Sequence, residues 1–268
     1  MAGEFWSGFA IIFAVVMVFM VVLWIFSTRI GDPSFIDAFW SIGFVIIAIT
    51  SAVIHHGDGV RTVLLEVLTG VWGLRLGGYL FYRWRKNGPD PRYVAMLERN
   101  KGSKNVLMLR KVFIRQGLVM CVVSLPLQLG MLYSKPVGWT PQAGFGVALA
   151  MFGIAIESIA DTQLLWFKRK PSNKGQVMDA GLWRYSRHPN YFGEACTWWG
   201  IYLVAVVNLP TFFGFIGPLL ITLFLVKWSG IGPLERQLAS HKPGYSDYVA
   251  RTSAFLPRLP KAVAEASS

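Results

Sequence analysis

The sequence predicts an all-α integral membrane protein with seven transmembrane helices, its amino terminus outside and its carboxyl terminus cytoplasmic. Three observations carry that expectation. Of 268 residues, 54% are hydrophobic and only 15% charged, against about 25% charged in an ordinary soluble domain. Uncharged runs recur along the chain at the length of a membrane span, about 20 residues. Finally, 23 of the 26 lysines and arginines fall in segments that successive crossings deliver to one side.

The spans follow in order. Residues 5–28 are uncharged, with no basic segment before them and no small-residue cleavage site after, which reads as a retained span rather than a signal peptide. Residues 35–54 are apolar except for Asp37, and 62–82 carry Glu66 and Arg75, making this third span the least lipid-like. Only Lys135 separates 116–134 from 136–156, so the pair reads as a helical hairpin, its second helix continuing through Glu157 and Asp161 to Phe167. The uncharged run 195–226 is 32 residues long, too long for one span, and Pro210 marks the turn that divides it. The spans form one membrane domain over 1–260, with a disordered tail at 261–268.

Topology comes from the bases. With the amino terminus outside, segments 29–35, 83–115, 168–190 and the tail from Lys227 hold 1, 10, 6 and 6 basic residues, whereas the opposite side has only Arg61 and Lys135. That asymmetry puts the basic segments in the cytoplasm. The net charge of +12 therefore sits on one membrane face, where each base gains about 1 kcal/mol beside anionic lipid. Membrane lipid is an expected partner and nucleic acid is not. Cys121 and Cys196 lie in apolar stretches without a pairing or ligand pattern. His188 stands apart from His55, His56 and His241, so no metal site is expected.

Lipid tolerates ionisable residues poorly, at about 2.5–3.5 kcal/mol each on insertion scales, which makes them functional candidates. Six lie at membrane depth: Asp37, Glu66, Arg75, Glu157, Asp161 and Glu194. Glu66, near the outer end, reads as an interhelical pair or interfacial side chain. On the third helix Trp72, Arg75, Tyr79 and Tyr82 or Arg83 share a face by their three- and four-residue spacing, as do Glu157, Asp161 and Lys168 on the fifth. The densest polar stretch, 181–194, holds Arg184, Tyr185, Ser186, Arg187, His188, Asn190, Tyr191 and Glu194. Its cations suit phosphate, and its amide and carboxylate suit ribose hydroxyls and a carboxamide. Pro189 suits a helix's first turn, whose free N–H groups favour an anion. The chain has no G-x-x-x-x-G-K-[ST] motif, and Gly144 and Gly146 lack a strand-turn-helix context. Gly73 with Gly77 reads as helix packing.

These residues carry a resemblance. Gly181-Leu-Trp183 with Tyr185-Ser186, then Asn190-Tyr-Phe-Gly-Glu194, Trp198 and Gly200, then Tyr245-x-x-Tyr248 and Arg251-Thr-Ser-x-Phe-Leu-Pro257, resemble the carboxyl-terminal half of the steroid 5-alpha-reductase family, particularly its bacterial members. The likeness is dense over about 157–257. Before that it thins to Trp72-Gly-Leu-Arg75 with Tyr79, and Ser34-Phe-Ile-Asp37-x-x-Trp40. Arg-His-Pro-Asn-Tyr also occurs in sterol reductases and, more loosely, in isoprenylcysteine carboxyl methyltransferases.

The resemblance implies a seven-helix membrane reductase using NADPH. Asn190 and Glu194 match residues that hold the nicotinamide end. Asp161 matches a cofactor-binding aspartate, and Glu157 stands where the steroid enzymes have asparagine. Lys168 with Arg169 matches a basic position near the phosphates, while Arg75 and Tyr79 match third-helix residues facing the cofactor. Tyr185, Arg187 and His188 complete the expected cofactor set. Tyr245, Tyr248 and Arg251 read either as an interfacial aromatic belt or, by the family likeness, as a lid over the cofactor. The family's catalytic glutamate and tyrosine read here as Asp37 and Trp72, and since tryptophan has no hydroxyl, Tyr79 or Tyr82 is expected to supply it. Hydride would add to the β carbon of a lipophilic enone entering from the bilayer, a 3-oxo-4-ene steroid being the expected case. A protonated carboxyl and a tyrosine hydroxyl would stabilise the enolate. A bacterial inner membrane is expected rather than endoplasmic reticulum.

Two other readings compete. A methyltransferase acting on lipid or isoprenylcysteine would use S-adenosylmethionine, which has no phosphate to engage the bases. A transporter would spread charges at mid-depth through inverted repeats, whereas here they gather towards one face.

Overall fold

Backbone polar groups in a bilayer must find partners within their own segment, which favours helices, and every regular element of the computed structural model is helical. It describes residues 2–56, 59–133, 138–228, 230–232, 235 and 242–261. The long helices are α1 (Ala2–Ile30), α2 (Ile36–Ile54) and α3 (Val60–Asn87). A short α4 (Pro91–Glu98) and α5 (Lys104–Met108) follow, then a π-helical stretch, Leu109–Ile114, which runs into α6 (Arg115–Val123). Next come α7 (Leu125–Leu132), α8 (Pro141–Arg169), α9 (Pro189–Ala205), α10 (Leu209–Phe212), α11 (Ile216–Leu223) and α12 (Tyr245–Arg251).

Five helical segments are long and apolar enough to cross a membrane: Gly3–Ile30, Ile36–Ile54, Val60–Asn87, Pro141–Arg169 and Leu209–Trp228. A sixth is Lys104–Val123 with Leu125–Leu132, bent by 42° where Pro126 sits in the first turn of α7 and cannot donate a backbone bond. The chain is thus a multi-pass helical membrane protein with five or six candidate spans. The sequence reading counts seven; α9, at 17 residues, is short of a full span. The uncharged run 195–226 does divide near Pro210. There Asn208 accepts from Thr211 N at 3.0 Å and Thr211 Oγ1 accepts from Asn208 N at 2.9 Å, a reciprocal cap with Pro210 in the first turn. The turn expected at Lys135 and the tail from 262 onwards lie outside the described residues.

The chain divides into two compact units, one of Met1–Val147 with Ile201–Gly217, the other of Ala148–Gly200 with Pro218–Ser268. In the first, α2 and α3 form the most extensive helix pair. Their approach needs glycine: a Cβ at Gly73 would lie 2.8 Å from Ser41 O, and one at Gly77 would lie 2.9 Å from Ala38 O. Ser41 Oγ donates to Gly73 O at 2.9 Å across the contact. Gly73 and Gly77 are therefore packing glycines, as their spacing suggests. Trp72 is fully buried beside Phe44, with ring centroids 5.8 Å apart.

In the second unit α8 and α9 meet backbone to backbone. A Cβ at Gly153 would lie 2.5 Å from both Gly193 O and Thr197 N, and one at Gly193 would lie 2.6 Å from Glu157 N. Trp183 Nε1 donates to Ala160 O at 3.1 Å, and Leu182 N donates to Gln163 Oε1 at 3.0 Å, fastening the segment before α9 onto α8.

Gly77→Leu should lower the thermal midpoint of unfolding in detergent, because overpacking costs roughly 1–3 kcal/mol. Gly78→Leu, where a Cβ meets nothing within 4 Å, should leave that midpoint near wild type.

Candidate functional site

In the second unit, the four-residue spacing of Glu157 and Asp161 puts both carboxylates on one face of α8, where they are 2% and 3% exposed. The glycine contact sets them against the first turns of α9. That helix opens at Pro189, and His188 N donates to Ser186 Oγ at 3.1 Å just before it. Asn190 Nδ2 then reaches Asp161 Oδ1 at 3.4 Å. Asn190 Oδ1 is buried and accepts no hydrogen bond among the described residues. Glu194, 8% exposed, lies one turn further along α9. Three acids and an amide are thereby enclosed within protein, and one buried acceptor is open to a donor.

The segment 183–188 is fastened to the chain's last described stretch. Arg187 grips Glu235 in a bidentate pair, Nε to Oε1 at 2.7 Å and Nη2 to Oε2 at 3.2 Å. Its Nη1 donates to the carbonyls of Val249, at 3.1 Å, and Thr252. His188 Nε2 lies 3.2 Å from the same Glu235 oxygen, and its ring stacks on Tyr191. Burial alone would raise the Glu235 pKa, but hydrogen bonds from His188 and Arg187 and the Arg187 charge outweigh it and hold the carboxyl at about 2. Tyr248 donates to Trp183 O at 2.6 Å, Arg187 N to Ser253 O at 2.8 Å, Ser186 Oγ to Phe255 O at 2.8 Å and Arg258 N to Tyr185 O at 2.9 Å. Burial, with the Glu235 charge second, pushes the Tyr245 hydroxyl to about 12. Arg251 pairs with Asp179.

This fastening assigns work to several predicted residues. Arg187 and His188 hold Glu235 and the tail, and the Tyr248 hydroxyl holds the Trp183 carbonyl. Beside them lies an open cleft of about 480 Å³, lined by Asp179, Arg184, Arg251, Thr252 and Lys261 among others. Lys168 and Arg169 are exposed at the end of α8, and Tyr185 is 39% exposed. Glu235 escapes notice in the sequence because it sits in a polar tail with no motif around it.

A second polar cluster lies in the first unit, around Asp37 in the first turn of α2. Tyr93 donates its hydroxyl to Asp37 Oδ1 at 2.8 Å, and Arg92 Nη2 lies 3.3 Å from Oδ2. Gln116 Nε2 donates to the Tyr93 oxygen at 3.2 Å. Arg92 also chelates Asp90 through Nε and Nη2, both at 3.0 Å. Asp90 caps α4, accepting from Arg92 N at 2.9 Å, with Pro91 next. Its own N–H donates to Ser34 Oγ at 3.1 Å, and Asp32 accepts from Trp84 Nε1 at 2.7 Å. A hydroxyl from α4 thus meets Asp37, a partner not among the third-helix tyrosines expected there. On α3, Arg75 and Tyr79 are half-buried and Tyr82 is 41% exposed. The Asp90-Pro91 pair is a helix-start signal, but nothing local shows that this helix returns to Asp37. Among the described residues no group of three His, Cys, Asp or Glu side chains could hold a metal ion.

The profile of a family described as "Protein of unknown function (DUF1295)" matches residues 23–252. "Uncharacterized protein C594.04c" of Schizosaccharomyces pombe is 26% identical over 274 residues, covering 89% of this chain and 76% of that protein. No solved structure matches the chain.

Glu235 has a depressed pKa, so its contribution is complete above the ordinary value near 4.5 and disappears as pH falls towards about 2. The protection factors of the Arg187 and Arg258 amides, measured against their intrinsic rates at each pH, should therefore fall across that window. Glu235→Gln should already exchange faster at pH 7, by the loss of roughly 1.5–3 kcal/mol of charged hydrogen bonding, and should respond less to acid.

Proposed function

The chain belongs to the DUF1295 family, and we propose that it is a membrane-embedded, NADPH-dependent reductase of the carbon–carbon double bond of a lipophilic enone, 3-oxo-4-ene steroids being the substrate class its steroid 5-alpha-reductase resemblance favours. The observation that carries this reading is the α8–α9 cluster. A nicotinamide carboxamide offers N–H donors and a carbonyl, and Asn190 Oδ1 is a buried acceptor with no donor among the described residues. An asparagine with one open acceptor, enclosed among Glu157, Asp161 and Glu194, therefore fits such a group.

Asn190 would accept from the carboxamide, and Asp161 and Glu194 would accept from it or from ribose hydroxyls. Lys168, Arg169 and the cleft cations Arg184 and Lys261 would meet phosphates. Arg187, His188 and Tyr248 serve by holding the tail against segment 183–188, the lid reading of the tail. Bound NADPH supplies the hydride. The hydroxyl that Asp37 holds would donate to the substrate's carbonyl oxygen as negative charge develops there. In this reading α9 completes a seventh span, the amino terminus is outside, and the bases of 83–115 and 168–190 face the cytoplasm of a bacterial inner membrane. Substrate enters sideways from lipid.

Purified protein in nanodiscs tests the reading. It should oxidise NADPH when given a 3-oxo-4-ene steroid and should transfer no methyl group from labelled S-adenosylmethionine. Asn190→Ala and Glu194→Ala should each weaken NADPH binding by tenfold or more in fluorescence titration, one hydrogen bond to a buried partner being worth about 1–3 kcal/mol. Normal NADPH affinity in both variants refutes the assignment.

A further inference from the structure

We propose that Tyr93 is the hydrogen-bond donor to the ligand's carbonyl oxygen, with Asp37, Arg92 and Gln116 as the residues that position it. The inference rests on the enone reading for the ligand's class, a lipophilic ketone, but its geometry is independent of the nucleotide cluster. Trp72, which stands where the resembling family has its hydroxyl, is fully buried against Phe44. The hydroxyl beside Asp37 is that of Tyr93, 2.8 Å from Oδ1, and it belongs to a helix 56 positions further along the chain.

The bonds around this hydroxyl allow one exchange and resist others. A tyrosine O–H donates one hydrogen bond, now spent on Asp37. An arriving carbonyl oxygen has two lone pairs and no donor, so it can take that bond. Asp37 keeps a partner when this happens, because Arg92 Nη2 remains 3.3 Å from Oδ2. Arg92 is itself fixed by two contacts to Asp90 at 3.0 Å, and Asp90 caps the helix that carries Tyr93. Gln116 continues to donate to the phenol oxygen, at 3.2 Å, which orients its proton away from α6. Burial first, and the Asp37 carboxylate second, push the Tyr93 pKa well above that of free tyrosine, so the group carries its proton at neutral pH. Asp37 serves as the resting acceptor, holding Tyr93 at Oδ1 with the Arg92 guanidinium beside Oδ2. The protonated carboxyl expected from the sequence is not required, because the tyrosine is the donor.

The site's occupant is a ketone-bearing lipophile. An alcohol could hydrogen-bond Asp37 directly, and a hydrocarbon would leave the Tyr93–Asp37 bond intact, so only the ketone depends on Tyr93. The test uses cofactor-free protein in nanodiscs, with a 3-oxo-4-ene steroid labelled with ¹³C at its carbonyl, its 3-hydroxy counterpart and its 3-deoxy counterpart as probes. Wild type should bind the ketone roughly tenfold more tightly than the 3-deoxy probe, equivalent to about 1.4 kcal/mol. Isotope-edited infrared spectra should show the bound carbonyl stretch shifted to lower frequency. Tyr93→Phe should lose both the preference and the shift while retaining its affinity for the 3-deoxy and 3-hydroxy probes, which doubles as the folding control. Gln116→Leu should weaken the preference severalfold without abolishing it. An unchanged carbonyl shift in Tyr93→Phe overturns the assignment, as does a wild type with no preference for ketone. If the infrared result holds but wild type never oxidises NADPH with any enone, the reductase reading fails and the carbonyl site stands.

Discussion

The close approach of α8 to α9 at Gly153 and Gly193 is the constraint on which the buried polar cluster of Glu157, Asp161, Asn190 and Glu194 depends. Apolar side chains gain little by leaving lipid for one another, so helix contacts in a membrane rely on close packing and polar bonds. With a Cβ at either glycine, backbone atoms would be 2.5–2.6 Å away, and the helices would have to part. Asn190 reaches Asp161 at 3.4 Å, already the long limit of a hydrogen bond, so even a small separation would end it. The carboxylates of Glu157, Asp161 and Glu194 would then face either lipid or a cavity without an amide beside it. The glycines are therefore part of the site although they carry no chemistry.

The first unit handles its membrane-depth acid differently. Asp37 has no opposite charge on its own helix, and α3 is kept close to α2 by Gly73 and Gly77 for packing. The compensating groups come from outside the span, on α4, a short helix started by Asp90-Pro91 and tied back by the Asp90 N–H to Ser34. Arg92 has a half-exposed side chain, 48% against 27% for Asp37, so its charge remains partly hydrated while it reaches the acid. Arginine suits such a position, since its fork can contact Asp90 and Asp37 together. A lysine there could neutralise one carboxylate but could not span both with fixed geometry.

What the sequence revealed follows from how local each signal is. The helical character, the pairing of Glu157 with Asp161, the packing role of Gly73 and Gly77 and the break near Pro210 all arise from spacings of a few residues, and each is present in the structure. The count of spans was less legible, because apolar length does not show where a helix ends: α9 begins at Pro189 and stops at Ala205, leaving 17 residues where a continuous run suggested more. Tyr93 was illegible because its partner is 56 positions away and its loop looked like one more basic connection. Arg187 illustrates a different limit. A guanidinium beside a helix start has the same sequence appearance whether it meets a phosphate or a carboxylate, and nothing local to Arg187 shows that Glu235 meets it.

That position has a consequence for the second unit as a folding entity. Arg187 is 9% exposed at its side chain and joined to Glu235 and to two backbone carbonyls near the end of α12. Removing any one partner would strand a buried charge, which costs far more than the pair contributes when intact. Segments 183–188 and 245–258 are therefore coupled: the backbone bonds of Arg187 and Tyr185 and the Ser186 hydroxyl's bond to Phe255 O surround the same guanidinium that the side-chain bonds satisfy. Asn190 lies two residues after His188, which shares Glu235 with Arg187, so the tail's contacts reach to the first turn of α9. A ligand that binds at Asn190 only while these contacts hold stabilises the tail as well, even if it touches no residue beyond α9.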